Sequence, residues 1–84
     1  MPVVLRQQGY TFFFYANEGN PLEAAHIHVP PRVRQAGAEA KFWLVPIVQL
    51  ARNDGFDAAT LRKLNQLVHS HRAHLTRAWN DHFT

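Results

Sequence analysis

The chain has 84 residues, no cysteine, and nine Lys and Arg against six acids, for a formal net charge of +3 and a sequence pI near 10.0. That length holds one small domain, residues 1–84, with no room for a second core, and the missing cysteine excludes disulfides, thiol nucleophiles and thiolate metal ligands. A hydrophobic share of 46% and an aromatic share of 12% suit a packed interior rather than disorder.

Met1-Pro2-Val3-Val4-Leu5-Arg6 has neither the basic start nor the long apolar stretch of a signal peptide, and no apolar run could span a bilayer. A cytoplasmic location with no membrane partner is therefore the expectation. So short a domain draws little stability from its own core, which makes a second copy of the chain or a tight protein partner a natural supplement.

In chain order, Val3-Val4-Leu5-Arg6-Gln7 reads as a strand, and Gln8-Gly9 as a tight turn in which glycine supplies positive φ. Tyr10 to Tyr15 follows as an aromatic-rich second strand, bulky on both faces and so placed centrally or under a helix. Asn17 to Pro21 is a loop by composition. His26 to Val29 is a third strand ended by Pro30-Pro31, and Arg32 to Ala36 a connector, with Gly37 turning the chain into a fourth strand, Glu39 to Leu44. Pro46 closes that strand. Ile47-Val48-Gln49-Leu50 fits either a short fifth strand or a helical turn, and Asn53-Asp54-Gly55 reads as a turn.

The period then changes. Asp57 is a good N-cap, and Phe56 with Leu61 has the spacing of a hydrophobic staple. Leu61, Leu64, Leu67 and Val68, extended by Leu75, Trp79, His82 and Phe83, form one helical stripe, either continuous or broken near Ser70. The predicted fold is α+β: a small antiparallel sheet of three to five strands from a strand-rich segment 1–50, covered by one long or two shorter helices from 57–83.

The third and fourth strands hold the candidate site. Alternation places Ile27 and Val29 on one face with Ala40, Phe42 and Leu44, and places His26 and His28 on the other with Glu39, Lys41 and Trp43. Two imidazoles side by side suit a divalent metal, but no third or fourth ligand has recognisable spacing, so no metal is assigned and the metal-dependent hydrolase remains an alternative. His26, His28 and Lys41 are also candidate acid–base residues for cleaving RNA, with Arg32 or Arg34 from the connector nearby and Trp43, Tyr10 or Tyr15 available to stack a base. The plainer alternative is a polar binding face. No glycine-rich phosphate loop, nucleophile elbow or paired carboxylates occur, and no cofactor is indicated. In the helical half, Arg62, Lys63, Arg72 and Arg77, with four histidines, face only Asp57 and Asp81. Such a face suits RNA, DNA or an acidic protein, or is simply solvated.

Tyr10 to Tyr15, Asn17-Glu18, His26-Ile27-His28-Val29, Ala40-Lys41-Phe42-Trp43-Leu44 with Pro46, Leu50-Ala51, Asn53, Gly55-Phe56 and Trp79-Asn80 with Phe83 together resemble the forty-one-sixty family of small bacterial domains of unknown function. The resemblance implies a short cytoplasmic protein whose signature positions are His26, His28, Lys41 and Trp43. It also implies one half of a two-gene, toxin–antitoxin-like pair, with a small cognate protein as partner. Relatives tend to carry proline before the first signature histidine, where this chain has Ala24-Ala25. The expected function is one partner of such a module, acting through protein binding and on an RNA target. The alternative is a non-enzymatic nucleic-acid-binding or regulatory module.

Overall fold

The computed structural model describes residues 3–16, 23–30 and 39–83. Five strands, β1 (Val3–Gln7), β2 (Tyr10–Phe13), β3 (His26–Val29), β4 (Glu39–Trp43) and β5 (Gln49–Asp54), precede two helices, α1 (Ala58–Ser70) and α2 (Arg72–Phe83). The strands form one antiparallel sheet in the order β1-β2-β3-β4-β5, so every strand pairs with its sequence neighbour. This is the α+β architecture anticipated from the sequence. The expected loop at Asn17 to Pro21, and the connector from Arg32 through Gly37, lie outside the described residues.

The β1–β2 connection is a two-residue turn in which both Gln8 (φ 52°) and Gly9 (φ 82°) are left-handed, the arrangement whose twist matches a hairpin. Val4 is an extra residue opposite β2, because Val3 pairs with Phe13 and Leu5 with Phe12. β2 ends at Phe13, two residues short of the predicted strand, yet its alternation persists beyond that end. Phe12 and Phe14 belong to the main core, whereas Phe13 and Tyr15 pack against His28 on the opposite face. At the other edge, the undecided segment proves to be a strand starting at Gln49, and it absorbs Asn53 and Asp54 from the predicted turn. The Asn53 side chain then closes the bend by accepting from the Phe56 N–H (3.1 Å) and donating to its carbonyl (2.9 Å).

α1 starts where the capping signals place it: the Asp57 side chain accepts the Thr60 N–H at 2.7 Å, and Phe56 and Leu61 are each half-buried against the core. The helical stripe is interrupted at one residue. His71 (φ −112°, ψ 15°) donates its N–H to the Leu67 carbonyl, and its own carbonyl accepts from Leu75, so helical bonding runs through an elbow. Arg72 pins that elbow, with Nε donating to the Leu44 carbonyl (2.8 Å) and Nη2 to the Pro46 carbonyl (3.1 Å). The core lies between sheet and helices, where Phe12, Phe14, Ile27, Val29, Phe42 and Leu44 meet Leu64, Val68, Leu75 and Trp79. His82, placed in the stripe by its spacing, is exposed, with its ring against Phe14 and Phe83.

Two consequences are measurable. Leu64→Ala removes a fully buried anchor of α1 and is expected to cost about 2–5 kcal/mol in denaturant unfolding. Hydrogen bonds from the Thr60 side chain and then its backbone N–H, with Arg62 adding to them, hold the Asp57 carboxyl below its ordinary value of 3.8. A carboxyl lowered in the folded state contributes stability above its unfolded value, and that contribution disappears as pH falls through the folded one. Asp57→Ala should therefore lower the melting temperature near neutral pH, and the gap to wild type should close in strong acid.

Candidate functional site

β3 and β4 pair in the register that brings the signature side chains together: His26 lies opposite Trp43, Ile27 opposite Phe42, His28 opposite Lys41 and Val29 opposite Ala40. The aliphatic members enter the core and the polar ones share the opposite face, as alternation requires. The polar face is not open, however. His26 is 0% exposed and His28 5% exposed. The expectation of two accessible imidazoles is corrected by their surroundings. His28 lies between Phe13 (5.5 Å, stacked) and Tyr15 (4.8 Å, edge to face), and the His26 ring meets Trp79 (4.6 Å), His28 (5.1 Å) and Trp43 (5.6 Å).

Burial forces each imidazole to find an acceptor. His26 Nδ1–H donates to the Ala24 carbonyl at 2.9 Å, which fixes the proton on that nitrogen because a carbonyl only accepts. His28 Nδ1–H donates to Glu39 Oε2 at 3.1 Å. Glu39 is the hub of this face. Its other oxygen accepts from the Tyr15 hydroxyl (3.1 Å), and Arg52 of β5 approaches Oε2 at 3.5 Å. Arg52 also pairs with Asp54 at 2.9 Å. Lys41 donates to Glu23 Oε1 (3.3 Å) and sits 4.4 Å from the Trp43 ring centroid as a cation–π contact.

A carboxylate bonded to Nδ1 orients an imidazole, an arrangement compatible with proton transfer. Here the oriented ring is enclosed by aromatic neighbours, and its visible work is to tie β2, β3 and β4 together on the outer face. Trp43 is not an open stacking platform, since Lys41 lies over its ring and His26 meets it edge-on. Tyr10 is buried in the core against Phe56, which corrects its expected exposure, whereas Tyr15 is 40% exposed. Among the described residues no group of three His, Cys, Asp or Glu side chains could hold a metal ion.

The structure thus gathers His26, His28, Glu39, Lys41, Trp43 and Tyr15, and adds Phe13, Glu23 and Arg52. Phe13 and Tyr15 were within reach of period-2 reading, since they alternate with Phe12 and Phe14. Arg52 needed the β4–β5 register, Lys41 opposite Arg52 and Glu39 opposite Asp54, with Ala51 bulged. Arg32 and Arg34 lie outside the described residues. Arg62, Lys63, Arg72 and Arg77 are all exposed on the helices. No helix among the described residues is long and apolar enough to cross a membrane.

The outer-face network makes a direct prediction. Glu39→Ala leaves the His28 Nδ1–H without its acceptor and should cost about 1–3 kcal/mol in urea unfolding, with Glu39→Gln costing less because an amide oxygen still accepts. His28→Ala and Glu39→Ala should be non-additive in a double-mutant cycle. Strict additivity would mean that the 3.1 Å contact carries no stability.

No curated protein and no solved structure gave a significant match to this chain. A family model does match, covering residues 9–80, which takes in the sheet from the first turn onward, the outer-face network and all but the end of α2. The chain belongs to the family described as a domain of unknown function, DUF4160.

Proposed function

We propose that this domain is a non-enzymatic nucleic-acid-binding partner of a two-protein, toxin–antitoxin-like module, and that it engages RNA through the solvent face of α1 and α2. The distribution of paired and unpaired cations carries this reading. On the sheet face Lys41 has Glu23, and Arg52 has Glu39 and Asp54, while Arg6 at the β1 edge is a single cation with no carboxylate partner among the described residues. On the helices, among the described residues, no carboxylate pairs with Lys63, Arg72 or Arg77, and Arg62 has only the longer-range attraction of Asp57. A phosphate arriving at the helices displaces no internal ion pair, whereas one arriving at Lys41 or Arg52 must break one.

Burial of His26 and His28 supports binding over turnover, because an RNA-cleaving pair must reach the 2′-hydroxyl and the leaving oxygen. The family resemblance supplies the two-protein setting, and copurification with the product of the adjacent gene tests it; failure to copurify removes that part.

The RNA reading is tested by fluorescence anisotropy with a labelled single-stranded RNA at two or more salt concentrations. Binding should weaken linearly in log–log form, and replacing a contacting cation should lower the slope by about 0.7 per phosphate for a single strand. Arg62→Gln with Lys63→Gln should weaken binding uniformly across sequences, while His28→Ala, if it folds, should leave the slope unchanged. Absent or salt-independent binding overturns the proposal.

A further inference from the structure

We infer that the elbow between α1 and α2 is a phosphate subsite that takes one backbone phosphodiester of the bound strand; this rests on the nucleic-acid reading above and gives it a location. The bend at His71 opens a groove of about 570 Å³ lined by His69, Ser70, Arg72, Thr76, Arg77 and Asn80. That volume falls within the range of small-ligand clefts, roughly 300–1,000 Å³. No carboxylate-bearing residue lines it, and two arginines do.

Arg72 is already positioned. Its Nε and Nη2 donate to the Leu44 and Pro46 carbonyls, which fixes the guanidinium plane while leaving its positive charge uncancelled. A guanidinium carries five N–H donors, so those two bonds do not exhaust it. Because the side chain is held in place before a ligand arrives, ordering it costs little on binding. Arg77 reaches the same groove from one and a half turns further along α2, with no ion-pair partner among the described residues. Two arginines around one concavity match the geometry in which phosphate oxygens accept charge-assisted bonds.

Thr76, half-buried on the same stretch of α2, completes the lining between the two arginines. Lys63 on α1 lacks this convergence: it lines a smaller groove of about 170 Å³ with Tyr10, Ala59 and Thr60 and with no second cation.

The test uses the full chain, labelled with ¹⁵N, and two probes: inorganic phosphate and a single-stranded RNA. Phosphate should shift amide resonances concentrated in residues 69–80. Arg72 also ties α2 to the end of β4, so Arg77→Gln carries the test, with Arg62→Gln as its control. Arg77→Gln should abolish the phosphate-induced shifts and lower the RNA salt slope by about 0.7, whereas Arg62→Gln should leave the phosphate shifts in place. If Arg77→Gln changes neither the shifts nor the slope while RNA still binds, the subsite is overturned and the nucleic-acid reading stands. If phosphate shifts the elbow but RNA does not bind, the subsite stands as a phosphate site and the nucleic-acid reading is lost.

Discussion

The structure turns on a central strand that carries imidazoles on one face and aliphatics on the other, with both faces buried. Ile27 and Val29 bury without cost, but His26 and His28 require acceptors and apolar cover wherever they lie. Those requirements organise the outer side of the sheet. Glu39 sits close enough to His28 to receive its proton donor, Tyr15 reaches the same carboxylate from the end of β2, and Phe13 and Tyr15 close over the ring. The demand even reaches the helical layer, because Trp79 of α2 extends to the His26 ring. A polar pattern that reads as a surface is thus a second, smaller interior, fastened by charge-assisted hydrogen bonds instead of by aliphatic packing.

That second interior changes how the charges of the molecule are used. Carboxylates on the sheet side are consumed in holding imidazole, hydroxyl, guanidinium and ammonium groups of the same face. The acids left to the helical half are Asp57, engaged as an N-cap, and Asp81, which lies beside His74 and His82 on the β1 side of α2. Among the described residues, Arg6, Lys41 and Arg52 are balanced by Glu23, Glu39 and Asp54, so the excess positive charge lies on the helices. An asymmetric field of this kind attracts polyanions to one side of the domain and steers their approach.

The elbow links the two layers. Continuous hydrogen bonding through His71 makes α1 and α2 nearly one helix, and the single departure lets the second half bend over the sheet so that Leu75 and Trp79 reach the core. Arg72 holds the bend against the end of β4. The other edge of the sheet is tied in the same way, with His74 Nε2–H on the Val4 carbonyl at the β1 bulge and His82 Nε2–H on the Ala16 carbonyl. Three side chains of α2 that look like elements of a basic patch are therefore also clamps between the layers.

What the sequence determined by itself was whatever depends on neighbours along the chain. Strand alternation at 26–29 and 39–44, the Gln8-Gly9 turn, the Asp57 cap and the stripe from Leu61 to Trp79 all rest on local geometry, and each appears where its pattern puts it. The same alternation identified which residues share the histidine face, and family membership followed from motifs spread over most of the chain. Tertiary structure decided what contact between distant segments decides: that Phe13, Tyr15 and Trp79 bury the imidazoles, that β5 extends to Asp54 and brings Arg52 to Glu39, and that Arg72 bonds two carbonyls rather than standing free. A period-2 pattern gives the face on which a side chain lies. Whether that face is open depends on what folds over it, and nothing in the local pattern of β3 records the aromatic residues that do.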